Sequence, residues 1–434
     1  MIPSYSQREG WKSFRLKDVS FLYGGLTGKA GDDFRSDNLN ETKPFIPFTN
    51  ILNNTVIDFG NFKRVVMAPG EMQNRVREND LLFLMSSEDY ESIGKSALVE
   101  GDPGEVYLNS FCRGLRFVDR KHIVPKFINY LLLSDNYRDA IRLEARGFTR
   151  INLKIDKISS LSLSVPSVEK QQAIVKYLDT QLKFIDDRIG IKEKELTTIV
   201  KLRNSEIISV ISGRHSSSFE LKETGHKWIG KIPKHWSVVR IKDIASLGSG
   251  TTPKSGSDKY YDNGTIPWLN TSDVQNRLIE NNSLFITDVA LQDYPTLRYF
   301  PEGTVLLAMY GGGTIGNVGL MTFPATVNQA CCAIVPNKRI LNPKYLYYYL
   351  MSKHGWIVSN GFGGTQINLS QKMIAQFSVT LPPIEEQEMI VNYLDNKGEH
   401  YKSISNNITV QIEKLQLLKR ALIYETVNGY KSVD

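Results

Sequence analysis

Hydrophobic positions along the chain change their period twice. Through residues 1–166, and again through 214–381, they come in short runs such as Asp80-Leu81-Leu82-Phe83-Leu84 and Thr304-Val305-Leu306-Leu307-Ala308, bounded by Gly, Asn and Pro. Runs of this length with turn residues at both ends predict strands of compact mixed sheets. Helical patches follow at 126–136 and 343–353. Beyond Pro166 and Pro382 the apolar residues recur mostly at threes, fours and sevens: Ile174, Leu178, Leu182, Ile185, Ile189, Leu196, Ile199 and Leu202 in one stretch, and Ile390, Leu394, Tyr401, Ile404, Ile408, Leu415, Leu418 and Leu422 in the other. That spacing predicts two long helices, each burying one stripe. The first, over 168–211, has no internal proline, and Gly213 stands where a C-terminal cap is expected. At 1.5 Å per residue it is about 65 Å long, more than one domain can cover. Two independent amphipathic helices are one reading; equal length and equal offset favour a mutually packed pair.

The two stretches are copies. Ile151-Asn152-Leu153 recurs as Ile367-Asn368-Leu369, and Pro166-Ser167-Val168-Glu169-Lys170-Gln171 as Pro382-Pro383-Ile384-Glu385-Glu386-Gln387, both displaced by 216. The same offset carries Ile174-Val175-Lys176-Tyr177-Leu178-Asp179 onto Ile390-Val391-Asn392-Tyr393-Leu394-Asp395, and Gly213 onto Gly429. Upstream the displacement drifts: Trp11 and Arg15 echo Trp236 and Arg240, while Ile46-Pro47-Phe48 echoes Ile266-Pro267-Trp268. Insertions therefore lie inside the strand-rich segments, and the helices keep their length. The polar link Gly213-Arg214-His215-Ser216-Ser217-Ser218 is the best boundary. The organisation expected is α+β: a β-rich domain over 1–166, a long helix over 167–213, a second β-rich domain over 214–381 and a second long helix over 382–434.

Composition sharpens this only a little. The 434 residues are 41% hydrophobic and 23% charged, which suits folded domains rather than a disordered chain. Net charge is +7, of which residues 214–381 carry +6 and the second helical segment −2, so the excess sits in the globular parts. A basic domain surface favours a polyanion partner. The start lacks a signal-peptide core, no apolar run is long enough for a bilayer, and three cysteines make no framework; a cytoplasmic protein without a membrane role is expected. Six scattered histidines show no metal-ligand spacing.

Enzyme signatures fail one by one. Gly311-Gly312-Gly313-Thr314-Ile315-Gly316 satisfies a dinucleotide fingerprint literally, but Asn317-Val318-Gly319-Leu320-Met321 continues as a strand where a helix is needed. There is no phosphate loop at Gly28-Lys29-Ala30, no nucleophile elbow and no zinc-protease helix motif. No catalytic constellation is visible.

Four segments stand out: Val165-Pro166-Ser167-Val168-Glu169-Lys170-Gln171 and Leu381-Pro382-Pro383-Ile384-Glu385-Glu386-Gln387, with Gly364-Thr365-Gln366-Ile367-Asn368-Leu369 and Trp228-Ile229-Gly230-Lys231-Ile232-Pro233-Lys234-His235-Trp236. In these and in the order of its parts the chain resembles the specificity subunit of type I restriction-modification systems. Ser167 departs from the second proline of the motif, and Gly147-Phe148-Thr149-Arg150 is a looser copy of Gly363-Gly364-Thr365-Gln366. The resemblance implies a non-catalytic reader of double-stranded DNA. Its two target recognition domains would each read half of a bipartite asymmetric sequence, and its helices would form an antiparallel coiled coil. It implies no cofactor in this chain, two methylation subunits that bind S-adenosylmethionine and methylate adenine N6, and two restriction subunits using ATP and Mg that could join. A stand-alone nucleic-acid-binding scaffold is the alternative.

Candidate DNA contacts are Lys29, Arg35, Lys43, Asn50, Lys95 and Arg150 in the first domain. In the second they are Thr251, Lys254, Lys259, Asn270, Tyr310, Asn317 and Gln366. Arg and Lys suit phosphates and guanine edges, Asn and Gln suit adenine.

Overall fold

The structure is a computed structural model that describes residues 10–34, 41–214, 219–311, 313–363 and 368–433. It divides into two compact units, residues 1–193 with 410–434, and residues 194–409.

Both units are built on one plan. In the first, an antiparallel sheet takes the order Ser20–Gly24, Cys112–Phe117, Leu81–Leu84, Ser96–Leu98. In the second, the order Ala245–Gly248, Cys331–Pro336, Val305–Ala308, Val318–Met321 repeats it, with Arg277–Ile279 added in parallel at the edge. A smaller sheet accompanies each, built around the parallel pairs Thr42–Ile46 with Tyr107–Leu108, and Ile266–Leu269 with Thr326–Val327. The central strands Leu81–Leu84 and Val305–Ala308 are buried at every position, which is why they read as continuous apolar runs. The expected helical patch at 126–136 is two helices, Pro125–Leu133 and Asp135–Glu144, separated at Ser134; its counterparts are Pro343–Ser352 and His354–Ser359.

Each unit closes with the same strand pair before a long helix. Lys12–Arg15 pairs with Ser162–Val165, and Ser237–Arg240 with Ser378–Leu381. The long helices are Val168–Ile211 and Ile384–Val427, 44 residues each. Both stop in the same way. Gly213 and Gly429 each take φ +70°, and the amides of Arg214 and Tyr430 reach back to the carbonyls of Ser209 and Glu425. Only a residue at ease in the left-handed region closes a helix with these paired bonds.

Packing is antiparallel within each unit. In the first, Leu178, Leu182 and Ile185 share a core with Leu422, Ile423 and Val427, and Lys419 meets Asp186 at 2.7 Å. In the second, Ile207, Val210 and Ile211 share a core with Ile390, Val391 and Leu394. The apolar stripe departs from the sequence reading at two places. Leu202 and Leu418 are about half exposed, and the half-buried positions are their neighbours Arg203 and Lys419. A helix of 3.6 residues per turn drifts against a seven-residue repeat, so steps of three and four from Ile199 and Leu415 land on 203 and 419. Long basic side chains tolerate such places by laying their methylenes over apolar neighbours.

A duplicated joint fixes each strand-rich body to its long helix. Gln171 is fully buried; its Oε1 accepts from the Val124 amide (2.9 Å) and its Nε2 donates to the carbonyls of His122 (2.8 Å) and Pro166 (2.9 Å). Gln387, also fully buried, repeats this with the Asn342 amide (2.9 Å) and the carbonyls of Ile340 (3.0 Å) and Pro382 (2.9 Å). Two turns further, Asp179 receives Lys126 (2.9 Å) and Tyr130 (2.6 Å), and Asp395 receives Lys344 (2.7 Å) and Tyr348 (2.7 Å). Burial and these carboxylates push both phenols well above the usual tyrosine range.

Candidate nucleic-acid interface

The same two loops meet at corresponding places in both units. In the first, the connection from Met85 to Lys95 joins neighbouring strands, and residues 145–153 fold back onto it. Ile151 pairs with Ser87, Asn152 with Ser86, and the Leu153 amide donates to the Met85 carbonyl at 3.0 Å. In the second, the connection from Met309 to Asn317 is met by Leu369, which donates to Met309 at 2.7 Å. The glycine cluster is therefore a hairpin loop between antiparallel strands, as its strand continuation predicts, and no helix follows it.

Glycine allows the close approach of loop to helix. Gly94 and Gly316 take φ +67° and +77°, and a Cβ there would lie 2.3 Å from Ile141 or 2.7 Å from Val358. Arg138 grips the first loop from below, donating to the carbonyls of Glu91 (2.9 Å) and Ile93 (2.7 Å). Its burial without a carboxylate partner draws its pKa down to about 10.

Several sequence-expected contacts fall on these loops, and others have structural occupations. Lys95 and Arg150 lie on the two loops of the first unit, Tyr310 and Asn317 on the first loop of the second. Lys95 is half-buried, donates to the Leu52 carbonyl at 3.3 Å, and has its pKa lowered by burial. Arg150 is exposed and stacks its guanidinium 4.4 Å over the Phe111 ring. Tyr310 is partly buried, and Asn317 accepts from Asn276 at 3.2 Å.

Lys29 meets Glu71 at 2.6 Å and pulls that carboxyl down to about 2. Lys43 meets Glu105 at 2.8 Å, which Arg75 also engages. Asn50 is fully buried, closing the following loop through bonds to the backbone of Asp58 and Asn61. Asn270 is likewise occupied in a turn with Ser272. In the small sheet of the second unit, Thr251 gives its carbonyl to Trp268, the amide of exposed Lys254 donates to the Tyr294 hydroxyl, and Lys259 pairs with Asp293 at 2.8 Å. Arg35 and Gln366 lie outside the described residues.

A further basic concavity was not anticipated. Phe21, Tyr23, Met72, Arg75, Arg77 and Arg116 line a hollow of about 360 Å³. Asp80, buried beneath, takes the Tyr23 hydroxyl (2.5 Å) and two bonds from Arg116 (2.9 and 2.6 Å). Gly114 makes the room, because a Cβ there would strike the Tyr23 ring at 2.0 Å. The available signal was Arg116 alone, a basic residue between the apolar Leu115 and Phe117 on Cys112–Phe117, equally suited to a solvated strand position. Among the described residues no cluster of His, Cys, Asp or Glu is arranged to hold a metal, and no helix is long and apolar enough to cross a membrane.

Comparison with known proteins bears on what these surfaces serve. The profile of the type I restriction modification DNA specificity domain matches twice, over residues 8–200 and 233–414. The chain belongs to this family. Its members among similar sequences include the putative type I restriction enzyme MjaX specificity subunit of Methanocaldococcus jannaschii, 24% identical over 95% of this chain and 91% of that one. The HindI specificity subunit of Haemophilus influenzae is 22% identical over 96% of this chain and 99% of that protein. The MjaIX specificity subunit, also of M. jannaschii, is 34% identical over 47% of each chain. A chain from a solved structure on complex assembly and conformational transition of the type I restriction-modification system aligns over 98% of this chain and 99% of its own length, at 18% identity and a TM-score of 0.71. This DNA-specificity protein thus shares the fold of that chain, with two pseudo-repeated recognition domains and two long helices.

Proposed function

We propose that the chain reads a bipartite, asymmetric DNA sequence, one half by each recognition domain, and is itself non-catalytic. The observation that carries this reading is the duplicated joint: Gln171 and Gln387, with Asp179 and Asp395, present two like bodies on two like helices. One reader needs no second copy; a split target needs two, each held firmly. The chemistry belongs to partners: two methylation subunits that transfer a methyl group from S-adenosylmethionine to adenine N6, an assembly that two restriction subunits using ATP and Mg can join. The assembly acts in the cytoplasm. The paired helices set the gap between half-sites.

The test is to replace residues 1–166 with the first domain of another family member, co-express with the methylation subunit and map methylated adenines. One half-site should change and the other persist; a change in both refutes separate reading. Inserting four residues into each long helix adds about 6 Å. The gap should then widen by one or two base pairs of about 3.4 Å, with both half-sites unchanged. An unchanged gap refutes the spacing role.

A further inference from the structure

In the first unit the loop of residues 145–152 ends in a phenylalanine that touches water on all sides. Phe148 is 100% exposed, although a phenyl group is among the side chains that gain most from burial. The loop that presents it is well anchored. Ile151 and Asn152 pair with Ser87 and Ser86, and Arg146 and Asn152 exchange amide bonds across the base (3.0 and 2.8 Å). Gly147, at φ +147°, permits the turn, since a Cβ there would lie 2.0 Å from the Arg150 carbonyl. The Tyr90 hydroxyl donates to the Gly147 carbonyl at 3.3 Å.

The surroundings suit a nucleic acid. Phe111 and Tyr90 expose their rings beside the loop, and the Arg150 guanidinium lies over Phe111. Residues 145–152 carry two arginines and no carboxylate, Arg146 donating to the Leu143 and Ala145 carbonyls and Arg150 left forward; on the facing loop Glu91 is taken by Arg142, Asp89 accepts the Ser92 amide, and Glu88 is exposed. Exposed aromatic rings interleaved with guanidinium groups stack on bases and hold phosphates. An apolar side chain held forward on a stiff loop is the form of a wedge that enters a groove and parts two stacked base pairs.

We infer that Phe148 is such a wedge, inserting at one base step of the half-site read by the first domain, with Arg150 holding the adjoining phosphate. This rests on the DNA-reading function proposed above. The unstacked step lowers the cost of drawing a base out of the duplex for the partner enzyme.

The experiment uses the full chain assembled with its methylation subunits and duplexes carrying 2-aminopurine at successive positions of the first half-site. Binding should raise the fluorescence at one step. Phe148→Ala should abolish that rise and weaken binding on the order of tenfold, whereas Phe148→Leu should keep most of both. A mismatch placed at the same step should restore binding by Phe148→Ala, which a merely structural residue would not allow. Specific binding without a rise at any position overturns the wedge and leaves the reading function standing. Loss of assembly by Phe148→Ala before DNA is added also overturns it, assigning the ring to a protein partner. A wild-type assembly that binds no split sequence overturns the reading on which the inference rests.

Discussion

Replacing Gln387 with Met keeps the length of the side chain and removes its hydrogen-bonding end. In the native joint that end satisfies three backbone groups, the Asn342 amide and the carbonyls of Ile340 and Pro382, at a position with no solvent access. An unmet buried donor or acceptor costs about 1–3 kcal/mol, and carbonyls with a second lone pair sit at the low end. The joint should therefore lose about 3 kcal/mol, which corresponds to roughly a hundredfold faster local opening. Hydrogen exchange resolves this better than a melting curve, because a chain of two compact units need not unfold in one step. Amides over 340–346 and 385–391 should exchange faster, while 122–128 and 169–175, held by Gln171, should not change. Gln387→Glu adds a pH arm. Neutral, the acid can still donate to one carbonyl; ionised, it faces two carbonyl oxygens, so its folded pKa is raised. Its contribution should be present below about pH 4.3 and fall as pH rises above that. Unchanged exchange in the Gln387→Met joint would refute the reasoning, for it would mean the bonds are replaceable by packing or water.

Further outcomes follow from other sites. The Glu206 carboxyl accepts the hydroxyls of Tyr393 and Tyr401, which hold its pKa below the usual range; the advantage of wild type over Glu206→Gln should be full near pH 6 and disappear as pH falls through that depressed value, read by thermal melts at each pH. Burial pushes the thiols of Cys112 and Cys332 up to about 12, so iodoacetamide at pH 8 should label neither until the chain unfolds, by mass spectrometry. Gly250→Ala would place a Cβ 1.7 Å from the Val327 carbonyl and should destabilise by about 1–3 kcal/mol. Gly398→Ala, in the second long helix with nothing within 4 Å of its Cβ, should stabilise by about 0.5–1 kcal/mol, and the two together test whether space decides.

The long helices and the duplication were legible because both rest on periodicity, which survives when individual residues vary. Gln171 and Gln387 stood out as matched letters, but nothing in a sequence tells a buried amide that staples three backbone groups from an exposed one. Asn50 shows the same ambiguity from the other side: a polar letter in a loop region, read as a base contact, is fully buried among its neighbours' peptide groups. The register of the apolar stripe slipped by one at Leu202 and Leu418, since the apolar letters stand there while the helix geometry carries the stripe over the basic Arg203 and Lys419. Arg75, Arg77 and Arg116 come together from separate strands and loops through Asp80 and Gly114, a convergence no local window contains.

The partition of each long helix between the two compact units also has a consequence for the order of events at the ribosome. Leu178, Leu182 and Ile185 find their cover in Leu422, Ile423 and Val427. At about 5–20 residues per second, the intervening stretch of about 240 residues takes roughly 12–50 s to make. For that time the first domain emerges with a helix half whose apolar stripe is bare. The second unit is complete by residue 409, before the first, so the body encoded first is the one finished last. Slowed synthesis over residues 214–409 should lengthen the exposure of that stripe, and with it the window in which a chaperone or another nascent chain can cover it.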